Sequence, residues 1–232
     1  MTAQHSESSE DVLAGTLHGR PRAVIRKALL AFARPLLGLR IFGEGNVPTS
    51  GALLVVSNHV SNADPPFLEL AFPRPLFFMG KSELFRNRPL GWLLRRFGGF
   101  PVARGTPDRA ALRFAEAVLR QEVAMGIFPE GGRSTSGALG RGYAGVGLLA
   151  LRSAAPILPV AIYGTEYYPV NGVMPPRRTA GERRQVVIRF GEPFTLPERV
   201  DGKRVTPAEA TDVIMRRVAS LLPAQYRGVY AE

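Results

Sequence analysis

Residues 52–66 read ALLVVSNHVSNADPP. The apolar run 52–57 is short, rich in branched side chains and closed by polar residues, the pattern of a buried strand. Seven residues after it, Asp64 stands directly before Pro65, which reads as an N-cap with proline in the first turn of a helix. A strand, a polar loop and a helix in that order form the repeating unit of an α/β sheet. Such sheets gather their ligands beyond the carboxyl ends of the strands, where His59 falls. The other two histidines, His5 and His18, lie in a polar N-terminal stretch, so only His59 is a credible core or site histidine.

The same alternation continues along the chain. Strands are expected at 52–57, 76–80, 125–128, 157–162 and 186–190, and helices at 65–72, 89–97, 108–123, 142–153 and 206–222. Asp108 and Thr206 are natural N-caps, and Pro207 follows the second of them. The expected fold is α/β, a single domain with a mixed or mainly parallel sheet flanked by helices. No internal repeat is present, and residues 171–184 read as a basic excursion loop. The expected organisation is a flexible polar tail over 1–20, a basic amphipathic helical segment over 21–42 and one folded domain over 43–232.

The 232 residues suffice for one sizeable core. Thirty Lys and Arg against nineteen Asp and Glu give a net charge of +11, which suits an anionic partner: nucleic acid, an anionic membrane surface or a phosphorylated substrate. The absence of cysteine excludes disulfides, thiolate metal sites and a thiol nucleophile. The first twenty residues lack the cationic start and apolar run of a secretory signal. No uninterrupted apolar stretch reaches the length of about 18 residues that a spanning helix needs. A membrane contact is therefore expected at the surface.

The segment from Arg22 to Leu39 supplies a candidate. On a helical wheel Arg22, Arg26, Lys27, Arg34 and Arg40 share one sector, while Val24, Ile25, Ala28, Leu29, Phe32, Leu36 and Leu39 cover the other. Leu30 and Leu37 intrude on the basic side, and Pro35 is expected to kink the helix. Two readings remain open: an interfacial membrane helix, or a helix packed on the body with its basic face in solvent.

His59 and Asp64 are five residues apart and would not meet on one continuous helix. A loop between strand and helix can fold the carboxylate back onto the imidazole. One ring nitrogen would then bond Asp64 while the other faces a cleft, as a general base requires. The competing reading is structural, with Asp64 only capping its helix and His59 in a turn. A metal site is less favoured, because no second histidine outside the tail and no cysteine can join the ligand set. There is no G-x-S-x-G nucleophile elbow. GRGYAG at 140–145 matches the dinucleotide fingerprint, but it begins some eleven residues after the nearest strand, too far for the tight turn such a site needs.

Further on, FPEGGRS at 128–134 sets Glu130, Gly131, Gly132 and Arg133 directly after a strand. Paired glycines permit close backbone approach, and an arginine can hold a phosphate in a bidentate pair. Glu130 could tether Arg133 or an acceptor hydroxyl. Lys81, in MGKSELF, and Arg104, in GGFPVARG, likewise follow strands, and APILPVAIYG at 155–164 is a proline-bracketed buried strand.

SNHVSNAD, GFPVAR, FPEGGRS and APILPVAI resemble, in order and in spacing, the four sequence blocks of the glycerophospholipid acyltransferases, most nearly the bacterial lysophosphatidic acid acyltransferases. The resemblance runs from about residue 40 to 192. It implies that His59 and Asp64 are the catalytic pair, with Asn58 and Ser61 supporting. It also implies that Lys81, Arg104, Glu130, Gly131 and Arg133 contact substrate, and it extends with less support to Arg141. Gly132 departs from the family, which usually has threonine there, and this bears on the choice of acceptor.

The implied reaction is direct acyl transfer from an acyl thioester, of coenzyme A or acyl carrier protein, to the free hydroxyl of lysophosphatidic acid. The product would be phosphatidic acid. No cofactor beyond the acyl donor and no metal is called for. The expected partners are these two substrates and an anionic membrane surface, with no nucleic acid. The expected location is the cytoplasmic side of the cell membrane, bound peripherally or monotopically. The rivals are the same chemistry on glycerol phosphate or another lysophospholipid, a thioesterase, and a non-catalytic basic protein that binds membranes or nucleic acid.

Overall fold

The computed structural model describes residues 19–102, 109–168 and 185–231. Its centre is a seven-stranded sheet in the order β1-β7-β6-β2-β5-β3-β4. The strands are β1 (Leu39–Phe42), β2 (Leu53–Ser57), β3 (Leu76–Lys81), β4 (Gly99–Val102), β5 (Ala124–Ile127), β6 (Ile157–Tyr163) and β7 (Val186–Phe190). Every pairing is parallel except that of β6 with β7. The sheet is thus mixed and mainly parallel, as the alternating pattern leads one to expect. A two-stranded hairpin, β8 (Arg199–Val200) with β9 (Lys203–Arg204), stands apart. It is too short to leave an apolar run in the sequence.

The helices are α1 (Gly19–Leu37), α2 (Asp64–Ala71), α3 (Arg88–Arg96), α4 (Arg109–Arg120), α5 (Gly145–Ser153) and α6 (Pro207–Leu221). Period-two alternation along the strands splits the core in two. Leu53, Val55, Leu76 and Phe78 pack with Leu30 and Ala33 of α1 and with Phe67, Leu68 and Ala71 of α2. Leu54, Val56, Phe77, Phe100 and Met125 pack on the opposite face with α4, α5 and α6. Helix α3 joins the first layer. A Cβ at Gly80, on the Leu76 and Phe78 side of β3, would stand 2.8 Å from Phe85, in the turn before α3. One at Gly99, paired with Phe78, would stand 2.9 Å from the Leu94 carbonyl. So α1, α2 and α3 cover one face, and α4, α5 and α6 the other.

On the second face, α6 starts at a full capping box, with the Thr206 hydroxyl and the Glu209 carboxylate each accepting from the other's backbone amide. It packs so closely on α5 that a Cβ at Gly147 would lie 2.0 Å from the Pro207 carbonyl. Gly147→Ala is therefore expected to cost about 3 kcal/mol, read as a lower urea midpoint.

Several boundaries differ from expectation. Residues 39–42, inside the expected helical segment 21–42, form the edge strand β1, because Gly38 takes a left-handed φ of 61° and stops α1. Pro35 sits in the last turn of α1. Helix α5 starts at Gly145 rather than 142, since Gly142 is used to approach Thr211 and Met215. Asp64 occupies the first helical position, with Ala63 as the cap, so its side chain does not cap α2. Asp108 and the 171–184 loop lie outside the described residues.

Helix α1 is turned the other way from the solvated-basic-face reading. Arg22 is buried (7 % exposed), as are Leu30 and Ala33, whereas Val24, Phe32 and Leu36 are 66–74 % exposed. The cause is the carboxyl end of α2, whose last carbonyls have no partner within their own helix. Arg26 donates to the carbonyls of Leu70 (3.0 Å) and Ala71 (2.5 Å), and Arg22 to those of Glu69 and Phe72 (both 3.4 Å). Arg22 also pairs with the Glu69 carboxylate at 2.7 Å, and Arg26 with Glu44 at 2.8 Å. Cations at a helix carboxyl end are favoured by its dipole, so the arginines face inward and the apolar side faces out.

Candidate active site

Strand β2 lies at the middle of the sheet, between β6 and β5, and its carboxyl end delivers Ser57, Asn58 and His59. Asn58 is buried and acts as a pseudo-backbone unit. Its amide donates to the Ile162 carbonyl (2.7 Å) and its oxygen accepts from the Ile162 amide (2.9 Å). That pair continues the β2–β6 ladder one residue past its end and fixes where the loop leaves the sheet.

The loop then returns Asp64 to His59. Asp64 Oδ2 lies 2.7 Å from His59 Nδ1 and accepts from the backbone amides of Val60 (2.7 Å) and Ser61 (2.8 Å). Its other oxygen accepts from the Thr165 hydroxyl at 2.5 Å. Asp64 and Thr165 are fully buried and His59 is 4 % exposed. Three of the four groups facing the carboxylate, the Val60 and Ser61 amides and the Thr165 hydroxyl, donate to it, which suits a carboxylate rather than a carboxylic acid. An acceptor at Nδ1 places the imidazole proton there and leaves the Nε2 lone pair for chemistry. The ring is further held by stacking on Phe128, with centroids 4.2 Å apart, and Phe128 stacks in turn on Phe78.

Glu130 is a brace. One carboxylate oxygen accepts from the His59 amide and the other from the Gly140 amide, each at 2.9 Å. With the Ser134 amide donating to the His59 carbonyl at 2.7 Å, the 128–134 turn is fastened to the loop on both sides of His59. Burial pushes the Glu130 carboxyl upward, against the pull of its two backbone donors. Gly131 needs its left-handed φ of 67°. Its amide donates to the Phe128 carbonyl, so that N–H is committed to the turn. Ser61 is fully buried and its hydroxyl accepts from the Ala63 amide.

The structure brings together Asn58, His59, Ser61, Asp64 and Glu130, with Gly131, Gly132 and Arg133 in the fastened turn. Arg133 is exposed. Lys81 ends β3, at the same end of the parallel strands as His59. Arg141 is exposed and borders a surface cleft with Thr211, Asp212, Arg216 and Tyr230 rather than the His59 loop. Arg104 lies outside the described residues. Among the described residues no group of three or more His, Cys, Asp or Glu could hold a metal.

Thr165 escapes the sequence reading. It stands at the end of the apolar 155–164 run, and nothing local ties it to a carboxylate 101 positions earlier. Thr165→Val is expected to leave Asp64 Oδ1 short of a donor and to cost about 2 kcal/mol in chemical denaturation, with Thr165→Ser near wild type.

The sequence model of the Acyltransferase family matches residues 38–163, more than half of the chain. The chain belongs to the acyltransferase family. The chain is 29 % identical over 147 residues to a 1-acyl-sn-glycerol-3-phosphate acyltransferase of Streptococcus pneumoniae, covering 62 % of this chain and 51 % of that one. It is 28 % identical over 129 residues to the protein of that name in Bacillus subtilis, covering 55 % and 63 %. The chain thus spans about half to just under two thirds of the length of those relatives. In fold it is similar to the crystal structure of the 1-acyl-sn-glycerophosphate acyltransferase PlsC of Thermotoga maritima. There the TM-score is 0.63 at 25 % identity, over 90 % of this chain and 86 % of that one.

Proposed function

We propose that this acyltransferase moves a fatty acyl chain from an acyl thioester, of coenzyme A or acyl carrier protein, to the free hydroxyl of lysophosphatidic acid, forming phosphatidic acid. The observation that carries the chemistry is the 2.7 Å contact of His59 Nδ1 with a fully buried Asp64. The acceptor is inferred from the names of the relatives and from Arg133 in the turn fastened to His59.

His59 Nε2 takes the proton of the acceptor hydroxyl as its oxygen attacks the thioester carbonyl. Asp64 holds the proton at Nδ1 and stabilises the imidazolium. The tetrahedral intermediate collapses with loss of the thiolate, and the imidazolium returns the proton to that sulfur. A thiolate leaves readily, so no acyl-enzyme is needed, in keeping with a chain that has neither cysteine nor a serine elbow. Lys81, Arg104 and Arg133 are assigned to the acceptor phosphate. Arg141, given its place beside α6, is assigned no contact. With the Gly131 amide committed, oxyanion stabilisation falls to other donors of the 128–134 turn, Gly132 among them.

Both substrates are amphiphiles, and the outward apolar side of α1 would bring the site to an anionic bilayer on the cytoplasmic side of the membrane. Among the described residues no helix is long and apolar enough to cross a membrane. The test is thiol release from long-chain acyl-CoA by the purified protein in detergent, with and without lysophosphatidic acid. Release that requires the acceptor and yields phosphatidic acid supports the reading. Release without acceptor would make the protein a thioesterase. Silence with coenzyme A and carrier-protein donors on every phospholipid acceptor would refute it.

A further inference from the structure

We propose that α3 and the turn before it form a second contact with an anionic phospholipid surface, on the same side of the molecule as α1. The inference rests on the reading that α1 docks on a bilayer. Three observations carry it.

The first is exposure. Trp92 is 62 % exposed, and Leu84 and Leu90 are 45 % and 38 % exposed, all within nine residues of one another. A tryptophan at the surface, apolar in body and polar at its N–H, suits the boundary between headgroups and acyl chains.

The second is charge. From Lys81 to Arg96 the chain carries five basic residues and one acidic residue, Glu83. Arg86 and Arg88 are exposed. The Arg96 guanidinium lies 5.5 Å from the centre of the Trp92 ring, and that of Arg95 lies 5.2 Å from the Phe85 ring. Aromatic and aliphatic side chains flanked by guanidinium groups match a surface with phosphates outside and hydrocarbon beneath. A protein partner of no particular charge would not call for that excess of cations.

The third is placement. Helix α1 and helix α3 lie in one layer, on the same face of the sheet and with α2 in that layer too. Helix α1 packs beside β1 at one edge, and α3 beside β4 at the other. The turn that carries Leu84 begins one residue after Lys81, at the carboxyl end of the parallel strands. A bilayer touching both helices would therefore reach the end of the sheet that holds His59.

Trp92 is the only tryptophan in the chain, so its fluorescence reports this contact alone. The intact protein is mixed with phosphatidylglycerol vesicles, plain and with bromine-labelled acyl chains, and co-sedimentation is measured in parallel. The expected result is a blue-shifted emission that the brominated vesicles quench. The double variant Arg86→Glu/Arg88→Glu, checked for folding by circular dichroism, should partition at least about tenfold more weakly, since each charge near such a surface is worth about fivefold. Co-sedimentation with unshifted, unquenched emission would overturn the α3 contact and leave the docking of α1 intact. Absence of co-sedimentation would overturn both.

Discussion

His59→Ala is expected to lower phosphatidic acid formation by about 10²–10⁴-fold, the usual contribution of a positioned general base, while the protein remains folded. The imidazole carries a small structural load: one face rests on Phe128 and one nitrogen on Asp64. The loop around it is held by backbone bonds that survive the substitution, from the Val60 and Ser61 amides to Asp64, from the His59 amide to Glu130 and from the Ser134 amide to the His59 carbonyl. Truncation should therefore cost only about 1–2 kcal/mol of stability. Steady-state assays of thiol release, beside a thermal melt, separate the two effects. Loss of activity that follows loss of the folded fraction would return His59 to a structural role. Unchanged turnover in a folded variant would remove it from the chemistry.

Above about pH 7, where the Glu69 carboxyl is ionised, Glu69→Ala is expected to be the most damaging substitution for stability, at about 3–5 kcal/mol, because it leaves the buried Arg22 guanidinium without its counter-charge. The Leu76 amide, which donates to the other Glu69 oxygen, loses its acceptor as well. Burial pushes the Glu69 carboxyl up to about 7, against the opposing pull of Arg22. The unfolded chain gives up that proton near the ordinary glutamate value of about 4.3. Between those two values the native state holds more protons than the unfolded state, so this group's contribution makes stability fall as pH rises. The wild-type melting midpoint should decline from about pH 5 towards 7.5 more steeply than that of Glu69→Gln, which cannot titrate. Parallel slopes in the two proteins would count against the raised value.

The buried strands and the long helices were legible because a mainly parallel sheet demands near-continuous apolar runs, such as 52–57 and 157–162, with helical periods between them. The meeting of His59 with Asp64 could be anticipated from one local sign, the Asp-Pro pair that starts α2 only at Asp64, too late in the chain for His59 to share that helix. What stayed hidden depends on partners far away in sequence. Thr165 meets Asp64, Glu130 meets the His59 amide, and Asn58 meets Ile162 only once the sheet has assembled. The orientation of α1 was hidden for the same reason. A helical wheel separates basic from apolar residues, but only the empty carbonyls at the end of α2 decide which side faces the protein.

Helix α2 has a mechanical meaning beyond its place in the core. Its last turn is gripped by Arg22 and Arg26 of α1, and its first residue is Asp64, which holds the imidazole. Eight residues at about 1.5 Å each make a strut roughly 12 Å long. A stiff rod fixed at both ends passes a push from one to the other. If α1 docks on a bilayer as proposed, a tilt of that helix would be carried through α2 towards the Asp64 carboxylate.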